Sequence, residues 1–303
     1  MKYAFFKGKI VPFGDAKISI MTHAFNYGTG VFEGIRGYWN KNQNQLFILK
    51  LREHYERLQR SAVSLKIELK YNLEQMIQFT LDLVKANGYK EDVYIRPLAY
   101  KSQEKIGLGL TGIEDDFCIF LAPFGDYLDV SKGIKVCISS WRRIAAHSLP
   151  QGAKMTGAYI NSSLAKAEAL ERGCDEAILL APEGTVAEGS GENIFLVKDN
   201  KLLTPPLAEI ILPGITRVAL MELAENELKI ETIEKHIKKE ELFAADELFF
   251  CGTGAQVSPI VEVDGKKIRD GKVGPITKKL QEAYFRAAKG EDPKYADWVT
   301  AAY

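Results

Sequence analysis

The sequence predicts an α+β protein of two domains, and two features of the chain support this prediction. Segments typical of strands and of helices are mixed along the 303 residues, without the regular alternation that a doubly wound parallel sheet requires. The segment "PFGDYLDVSKG", rich in proline, glycine and aspartate, separates two halves with different patterns. We therefore predict a small N-terminal domain over residues 1–122, a connector over 123–133 and a larger C-terminal domain over 134–303.

The first half is predicted to contain two hairpins, two helices and two further strands. The apolar parts of "YAFFKGKIVPF" and "FEGIRGYWNKNQNQLFILKL" flank polar turns, which is typical of hairpins. Apolar residues then recur at steps of three and four over 51–65 and 73–84, which predicts two amphipathic helices. Asn72 is placed to cap the second helix and Gly88 to end it. The segments "DVYIRPLAY" and "DFCIFLAPF" predict the last strands of this half.

The second half begins with a strand in "GIKVCISSW" and a helix in "INSSLAKAEALERG", which Gly173 ends. A run rich in hairpin signals follows over 175–206. A helix starts after the Pro-Gly pair of "LPGITRVALMELAEN", and "DELFFCGTGAQVSPIVEV" predicts a strand, a glycine turn and a strand. The last predicted helix has Pro275 at its start and Gly290 at its end.

Composition excludes several classes of function. Lysine plus arginine and aspartate plus glutamate both number 40, so the net charge is zero and no basic field for nucleic acid is expected. The four cysteines and four histidines lack the spacing of a metal site, so we expect reduced, buried thiols and no metal. No apolar run approaches the ~20 residues of a membrane span. We expect a cytoplasmic protein that binds neither membranes nor nucleic acid.

Two glycine-containing turns are candidate anion sites. "LPGITR" places Ile215 and Thr216 at a helix start, where backbone N–H groups are unpaired donors at the positive end of the helix dipole. "CGTGAQVS" offers a second such turn with the hydroxyl of Thr253. For each turn alone, a simple turn with a threonine cap is the ordinary explanation, since such caps are common. Together with Arg52, they form a candidate site for a phosphate dianion.

Lys154 differs from the other lysines of the chain in its surroundings. No other charged residue occurs in "LPQGAKMTGAYINSS", where small and apolar residues flank it. Such a lysine is either a turn residue that reaches solvent or a partly desolvated amine with a lowered pKa. The second alternative suits a nucleophile, because only a neutral amine forms a Schiff base.

Two carboxylates, Glu188 and Glu192, lie among small residues in "TVAEGSGENIF". Carboxylates beside glycines often do no more than end a strand. The alternative is that one of them is held beside a ring nitrogen and keeps a pyridine protonated, as pyridoxal 5'-phosphate (PLP) chemistry requires. A lysine, a carboxylate, anion-binding turns and an arginine are the components of a PLP site, although no short motif identifies one.

Six segments, taken together, resemble those of the branched-chain amino-acid aminotransferases. They are "HAFNYGTGVFEGIR", "YIRPL", the Lys154 segment, "EGSGENIF", "LPGITR" and "CGTGAQVSPI", in the order and spacing of that family along almost the whole chain. The resemblance implies a class IV aminotransferase of PLP fold type IV (D-amino-acid-aminotransferase-like), with a small N-terminal and a larger C-terminal domain. It also implies a homodimer or a larger homo-oligomer.

The resemblance implies a role for each cofactor-binding residue. Lys154 would form the Schiff base, Glu188 would pair with the pyridine nitrogen, and Tyr159 would hydrogen-bond the phenolic oxygen. Leu212 would pack on the ring. The phosphate would be held by four residues: Arg52, Ile215, Thr216 and Thr253.

The resemblance also implies a substrate pocket. Tyr94 and the turn Thr253–Gly254–Ala255 would receive the substrate α-carboxylate, and Arg96 would take the distal carboxylate of glutamate. The expected pocket walls are Tyr27, Phe32, Gly34 and Tyr127, some of them reaching across a dimer interface. In "YGTGVFEGIR", the glycines are expected to let the chain pass close to the substrate.

The implied reaction is transamination of leucine, isoleucine and valine with 2-oxoglutarate, giving branched 2-oxo acids and L-glutamate. Other enzymes of the same fold type stay open as alternatives: D-amino-acid or amine aminotransferases and aminodeoxychorismate lyases. A PLP-binding protein without catalysis is a further alternative. The segments "FEGIR" and "YIRP" favour the branched-chain group.

Overall fold

The computed structural model describes residues 1–125, 128, 130–150 and 152–303. The predicted pocket residue Tyr127 lies outside these described residues. The chain divides into two compact units. Unit 1 comprises Met1–Gly125, Ala153–Ala158 and Arg286–Tyr303, and unit 2 comprises the described residues of 126–152 together with Tyr159–Phe285.

The strands of the described chain run, in chain order, as β1 (Tyr3–Phe6), β2 (Lys9–Pro12), β3 (Gly30–Phe32), β4 (Ile35–Asn40), β5 (Gln45–Leu49), β6 (Val93–Lys101), β7 (Asp115–Pro123), β8 (Ile134–Arg142), β9 (Glu176–Leu180), β10 (Val186–Gly189), β11 (Asn193–Lys198), β12 (Lys201–Thr204), β13 (Thr232–Glu234), β14 (Glu247–Gly252), β15 (Gln256–Val263), β16 (Lys266–Lys267) and β17 (Val299–Ala301).

The α-helices are α1 (His23–Tyr27), α2 (Leu51–Ser64), α3 (Leu73–Asn87), α4 (Tyr159–Glu171), α5 (Ile215–Leu228), α6 (Lys239–Ala244) and α7 (Pro275–Ala288). Short 3₁₀ turns occur at Phe13–Asp15, Thr156–Ala158, Leu207–Glu209 and Pro293–Trp298.

Unit 1 is built on an antiparallel sheet of eight strands in the order β17-β5-β4-β6-β7-β1-β2, with β3 paired to β6. Alternate residues of β6 are buried, as the period of a half-covered strand requires. Tyr55 and Leu58 of α2 are fully buried, and α2 packs on α3. The capping box of α3 joins Asn72 and Gln75 reciprocally, and Gly88 ends the helix in the left-handed conformation.

Unit 2 is built on a mixed sheet of nine strands in the order β10-β9-β8-β15-β14-β11-β12-β13, with β16 paired to β15. Strand β8 runs parallel to both β9 and β15, while β14 is antiparallel to β11 and β15. One face of this sheet contributes to a buried apolar cluster that includes Val136, Ile178, Ile194, Leu248 and Phe250. A smaller cluster of small residues, among them Ala165 and Ala177, lies between α4 and the strands beneath it.

The predicted α+β class is confirmed, as are the two N-terminal hairpins and the helices α2 to α5 and α7. The unit boundary at Gly125 falls inside the predicted connector. The predicted extent of the second domain differs from the structure, because Ala153–Ala158 and Arg286–Tyr303 belong to unit 1. Long-range backbone pairing is the reason: Met155 forms a β-bridge with Val31, and β17 pairs with β5.

Among the described helices, none combines the length and the apolar character that a membrane span requires. Within the described ranges, no three His, Cys, Asp or Glu side chains are grouped as a metal site requires.

Candidate active site

Lys154 lies in a short segment of unit 1 whose backbone is fixed by two neighbouring elements. Its carbonyl accepts the N–H of Phe32 at 3.0 Å, which ties it to the end of β3. Its own N–H donates to the hydroxyl of Ser61 on α2 at 3.1 Å. The next residue, Met155, is buried and bridges to Val31. The main chain of the lysine is therefore held from both sides, which leaves the side chain as the variable part.

Gly28, in the "YGTG" segment, allows the backbone that follows Lys154 to pass close to this segment. Gly28 has φ +65°, and a Cβ added there would lie 2.7 Å from the Cα of Gly157. The carbonyl of Gly28 accepts hydrogen bonds from the Gly157 N–H at 3.1 Å and from the Thr156 hydroxyl at 2.8 Å. In unit 1, this glycine therefore accommodates the backbone that carries Lys154.

The amine of Lys154 is surrounded by groups that change its charge state. Burial, together with the neighbouring guanidinium of Arg57, lowers the pKa of Lys154 to about 8, although Glu33 and Tyr94 act in the opposite direction. Its Nζ lies 4.9 Å from the centre of the Phe32 ring. A substantial fraction of this amine is therefore neutral near pH 8, as the prediction of a usable nucleophile requires.

A buried ion-paired cluster lies beside the lysine. Glu33 is completely buried in the bend between β3 and β4, and its carboxylate receives two hydrogen bonds of 2.7 Å from Arg57. The Nδ1 of His54 lies 2.7 Å from the same carboxylate. Burial alone would raise the pKa of Glu33, but the Arg57 charge and the hydrogen bonds lower it to about 2. Glu33 is therefore ionised at neutral pH and pairs with Arg57.

Arg52, predicted to hold a phosphate, is not brought to this cluster. Its side chain is 51% exposed and pairs with Glu74 at 2.7 Å on the surface of unit 1. Arg57, five residues later on α2, is buried instead and interacts electrostatically with Lys154. The two arginines lie on different faces of one helix, and the structure places Arg57, not Arg52, beside the lysine.

The predicted pocket residues of β6 do lie around the lysine. The Arg96 guanidinium donates to the Tyr94 hydroxyl at 2.7 Å and lies 4.4 Å from the centre of the Phe32 ring. Both Tyr94 and Arg96 act on the pKa of Lys154. A Cβ added at Gly34 would overlap the Tyr94 hydroxyl, so the glycine allows this tyrosine to pack against the bend.

Tyr27 occupies a different place. It is 36% exposed at the end of α1, and its hydroxyl accepts the N–H of Gly107 at 3.1 Å. Its ring lies 4.8 Å from that of His23. The structure therefore joins Tyr27 to the loop at Gly107, and its predicted place in the pocket wall stays a prediction.

In unit 2, Glu188 lies on β10 with its carboxylate buried and bonded on both oxygens. One oxygen accepts the backbone N–H of Leu212 at 3.0 Å and the amide of Asn193 at 3.2 Å. The other oxygen pairs with Arg143 at 2.9 Å. A register shift between Val186 and Glu188 interrupts the pairing of β10 with β9 at this point. The predicted ring carboxylate is therefore held in a fixed orientation.

The predicted phosphate residues Ile215 and Thr216 are the first residues of α5. Gly214 precedes them as the N-terminal cap residue without a capping side chain, so the first N–H groups of this helix are available to an anion. A Cβ added at Gly214 would overlap the amide oxygen of Asn193. Asn193 thus contacts both Glu188 and the helix start, which places these two parts of unit 2 side by side.

The second predicted anion-binding turn, which contains Thr253–Gly254–Ala255, connects β14 to β15 in unit 2. Gly252 pairs with Gln256 across the turn, and Gln256 has φ +56°. The carbonyl of Ala255 accepts the Ser258 hydroxyl at 2.6 Å, which fixes the end of the turn. Ala255 is buried while Thr253 and Gly254 are partly exposed.

Tyr159 begins α4 in unit 2, five residues after Lys154, and is partly buried. Leu212 precedes α5, and its carbonyl accepts the Asn193 amide at 3.0 Å. The predicted contacts of both residues with a cofactor stay predictions.

Five residues of these clusters were not identified from the sequence as site residues: Arg57, Glu33, His54, Arg143 and Asn193. For two of them a signal was present, since His54 and Arg57 share a helix face with Ser61 at positions i, i+3 and i+7. Arg143 follows β8, where nothing in the sequence distinguishes it from Arg142.

Comparison with known proteins places these residues in a family. The family model described as "Amino-transferase class IV" matches residues 30–263. A protein of Aquifex aeolicus named as a probable branched-chain-amino-acid aminotransferase is 51% identical over 303 residues, covering 100% of this chain and 97% of the relative. A protein of Pseudomonas aeruginosa named branched-chain-amino-acid aminotransferase is 41% identical over 298 residues, covering 97% of this chain and 95% of that relative.

Solved structures agree with these relatives. The branched-chain aminotransferase of Thermoproteus uzoniensis with norvaline has a TM-score of 0.95 and 45% identity, covering 99% of both chains. The branched-chain amino acid aminotransferase of Thermobaculum terrenum in its PLP form has a TM-score of 0.95 and 36% identity, covering 100% of this chain and 98% of that one. The chain therefore belongs to the class IV aminotransferases and, within them, to the branched-chain-amino-acid aminotransferases.

Proposed function

We propose that this protein catalyses the PLP-dependent transamination of leucine, isoleucine and valine with 2-oxoglutarate, giving branched 2-oxo acids and L-glutamate. The observation that carries the proposal is Lys154. Its main chain is held by hydrogen bonds from β3 and α2, and the pKa of its amine is lowered to about 8. It occurs in a chain that is similar along its whole length to enzymes named for this reaction.

Each unit offers donor groups of the kinds that PLP requires. Lys154 supplies an amine for covalent attachment, Glu188 a buried carboxylate for the ring nitrogen, and the start of α5 N–H donors for a phosphate. When bound, PLP withdraws electrons from the substrate carbon that carries the amine. We assign the arginine contact with the phosphate to Arg57 in place of Arg52, because Arg57 is the arginine of α2 that faces the lysine.

The remaining cofactor residues keep the roles that the family resemblance implies. Ile215, Thr216 and Thr253 would hold the phosphate, Tyr159 the phenolic oxygen, and Leu212 would pack on the ring. The backbone N–H of Leu212 also orients the Glu188 carboxylate. Asn193 and Arg143 orient that carboxylate from its other sides.

Lys154 is also the group that moves the proton in the reaction. Once the substrate amine replaces it, the Nζ accepts the proton from the substrate α-carbon as a general base and later returns it as a general acid. A pKa of about 8 suits both roles near neutral pH, since the amine exchanges a proton in either direction without a large free-energy cost. Glu188 holds a proton at the ring nitrogen of the bound cofactor.

One pocket has to accept an aliphatic side chain and a carboxylate in alternate half-reactions. Phe32 offers an apolar surface, and Arg96 lies directly over that surface while bonded to Tyr94. An aliphatic chain gains burial there, whereas a distal carboxylate gains a charged hydrogen bond from Arg96. Tyr94, together with Gly254 and Ala255, is proposed to receive the α-carboxylate. Gly34 has no side chain, which leaves room for the Tyr94 ring.

A panel of amino donors tests this function. We expect L-leucine, L-isoleucine and L-valine to give L-glutamate from 2-oxoglutarate at comparable rates, with D-alanine and a primary aromatic amine far slower. A preference for D-alanine or for the amine would contradict the branched-chain assignment and favour the corresponding aminotransferase of the same fold type. Cofactor binding without turnover of any donor would instead favour a non-catalytic PLP-binding protein.

We also propose that the protein forms a homodimer or a larger homo-oligomer. Unit 1 exposes large apolar side chains on two neighbouring segments, with Ile20 81%, Phe25 66%, Ile106 79% and Leu108 78% exposed. The segments are joined by the bridge of Thr22 with Glu104, so these side chains belong to one surface. Such a patch is typical of an interface. Light scattering after gel filtration would test this oligomeric state, and a monomer would contradict it.

The predicted cytoplasmic location stays a prediction.

A further inference from the structure

A buried charged cluster of unit 1 consists of Glu33, His54 and Arg57. The function proposed so far gives a role to Arg57 but none to Glu33 or His54. Glu33 is 0% exposed, His54 3% and Arg57 4%. A carboxylate and a guanidinium removed from water to this degree destabilise the fold unless both are paired and hydrogen-bonded. Stability alone does not account for the burial of such a pair, so a function for the pair has to be considered.

The geometry of the pair fixes the guanidinium in one orientation. The Nε of Arg57 donates to one oxygen of Glu33 and a terminal nitrogen donates to the other, both at 2.7 Å. Two parallel hydrogen bonds define the plane and the direction of a guanidinium, which a single bond does not. His54 adds a third hydrogen bond at 2.7 Å to the oxygen that the terminal nitrogen uses.

The protonation state of His54 follows from its surroundings. Burial lowers the pKa of His54, which outweighs the opposite influence of Glu33, so the imidazole is neutral at pH 7. A neutral imidazole bonded through Nδ1 to an ionised carboxylate donates its N–H to that carboxylate. The cluster therefore contains one negative charge, on Glu33, and one positive charge, on Arg57. The amine of Lys154 interacts electrostatically with both.

Lys154 experiences both charges. The ionisable groups that act on the amine come from three elements: Arg57 and His54 on α2, Glu33 in the bend after β3, and Tyr94 and Arg96 on β6. Arg57 and Arg96 disfavour a protonated lysine, and Glu33 favours it. Glu33 is the carboxylate in this set, so its removal leaves the amine facing two uncompensated guanidinium groups.

We propose that Glu33 is a positioning residue of the active site: its carboxylate orients Arg57 towards the cofactor phosphate and offsets the Arg57 charge beside Lys154. The inference rests on the proposed function, since it assigns Arg57 to the phosphate. It explains why a carboxylate occupies the bend between β3 and β4 although its two oxygens are used entirely within the cluster. His54 supports Glu33 in the same role through its Nδ1–H.

The first test measures the reactivity of Lys154 in the cofactor-free full-length protein, so it does not depend on catalysis. Pulse acetylation with acetic anhydride across a pH series, followed by peptide mass spectrometry, gives the midpoint at which Lys154 becomes reactive. In Glu33→Gln we expect this midpoint to fall by about 1 pH unit, the scale of losing one opposite charge nearby. A general loosening of the fold would expose the amine to water and raise the midpoint towards the ordinary value for lysine.

The second test compares PLP with pyridoxal, which lacks the phosphate. If Glu33 acts through Arg57, Glu33→Gln weakens PLP binding relative to pyridoxal binding by about 10-fold or more, the scale of one charge-assisted hydrogen bond, since the changed amine of Lys154 affects both aldehydes alike. In an Arg57→Gln background, Glu33→Gln should have no further effect on the ratio of PLP to pyridoxal binding. Equal weakening of PLP and pyridoxal would overturn the proposal, as would additivity of the two substitutions.

Two further variants keep the result interpretable. Glu53→Gln changes an exposed carboxylate of the same helix that pairs with Lys50, and it should change neither the midpoint nor the PLP-to-pyridoxal ratio. His54→Asn keeps a donor near Nδ1 and should move both readouts less than Glu33→Gln, which serves if Glu33→Gln does not fold. An unchanged or raised midpoint in Glu33→Gln overturns the charge role of Glu33 even if the protein is an active transaminase. Absence of any PLP binding in the wild type would instead contradict the proposed function.

Discussion

Two buried carboxylates, one in each unit, have opposite charge states. Glu33 in unit 1 is 0% exposed and Glu192 in unit 2 is 6% exposed. The pKa of Glu33 is lowered to about 2 against the effect of burial, because Arg57 and His54 bond its oxygens. The pKa of Glu192 is raised to about 8 by burial and by the neighbouring charges of Glu176 and Glu188. The partner of a buried carboxylate, more than its burial, decides whether it is charged.

The difference explains how each region is suited to its part of the chemistry. In unit 1 the paired charges of Glu33 and Arg57 surround an amine that is neither fully charged nor fully neutral. In unit 2 Arg143 pairs with Glu188, while Glu192 receives a hydrogen bond of 3.0 Å from the Gly191 N–H. Protonation of Glu192 removes its charge from the "EGSGE" turn, so Glu188, which pairs with Arg143, has no second carboxylate charge from Glu192 beside it.

The largest effect is expected for the amine of unit 1. Lys154→Ala should reduce turnover by at least about 10³-fold, since the same nitrogen attaches the cofactor and transfers the proton. The fold should persist, because the hydrogen bonds that fix this segment come from the backbone of Lys154. Steady-state rates and far-ultraviolet circular dichroism of the variant provide the check. Activity within tenfold of the wild type would show that another group carries out the chemistry.

Replacing each carboxylate by the neutral amide of glutamine tests the charge states assigned to Glu33 and Glu192. At pH 7, Glu33→Gln should destabilise the protein by about 3–5 kcal/mol, because it leaves the buried Arg57 charge unpaired. Glu192→Gln should cost less than about 1 kcal/mol, since glutamine resembles the protonated acid in shape and charge. Urea unfolding of both variants measures the difference. Equal losses would contradict the assigned charge states.

The same two variants differ in how stability depends on pH. The raised pKa of Glu192 makes the folded state bind a proton that the unfolded state has lost, so stability falls as pH rises from about 4.5 to about 8. The lowered pKa of Glu33 stabilises the protein above pH 4.5, and that contribution is lost as pH falls towards 2. Each glutamine variant should flatten its own part of the stability profile, measured as the unfolding midpoint against pH.

Within unit 2, Glu188→Gln tests whether Glu188 is the carboxylate that pairs with the ring nitrogen of the cofactor. An amide keeps part of the hydrogen bonding to Leu212 and Asn193 but cannot hold a proton at the ring nitrogen of the cofactor. We expect PLP to bind while turnover falls by about 10²-fold, the scale of losing one electrostatic contact at the reacting group. Visible absorption gives the binding and the leucine assay gives the rate. A near-normal rate would assign the ring nitrogen to a different carboxylate, with Glu192 as the nearest in sequence.

The smallest predicted effect concerns selection between the two substrates. Arg96→Ala removes the guanidinium above Phe32, so the kcat/KM for glutamate should fall about 10-fold more than that for leucine. The matched control is Arg52→Ala, whose side chain pairs with Glu74 on the surface and should affect neither substrate. Equal losses for both substrates in Arg96→Ala would remove Arg96 from its proposed role.

Much of the fold was predictable because its elements have local signals. The capping box at Asn72, the glycine at 88 and the regular apolar spacing of α2 and α3 all act within one helix. Helix α1 was missed, since five residues are too few to show a period. The extent of the second domain was misjudged because the pairing of Met155 with Val31 joins residues far apart in the sequence.

The candidate site was predictable where a residue stands in a distinctive segment. Lys154 was singled out by the absence of neighbouring charges, whereas the glycine-rich segment left Glu188 and Glu192 open and the family resemblance selected Glu188. Arg52 was named in place of Arg57 because both lie on one helix and the sequence does not say which face of that helix turns inwards. Arg143 and Asn193 reach Glu188 only through tertiary structure, which no local pattern encodes.

Lys154 is proposed to carry the cofactor because its surroundings lower the pKa of its amine to about 8. The most direct test incubates the protein with PLP, reduces it with borohydride, digests it and maps the modified lysine by mass spectrometry. We expect a yellow protein whose phosphopyridoxyl group is found on the peptide that contains Lys154, with no such product in Lys154→Ala. A stable modification on a different lysine, or a protein that gains no visible absorption band with PLP, would contradict it.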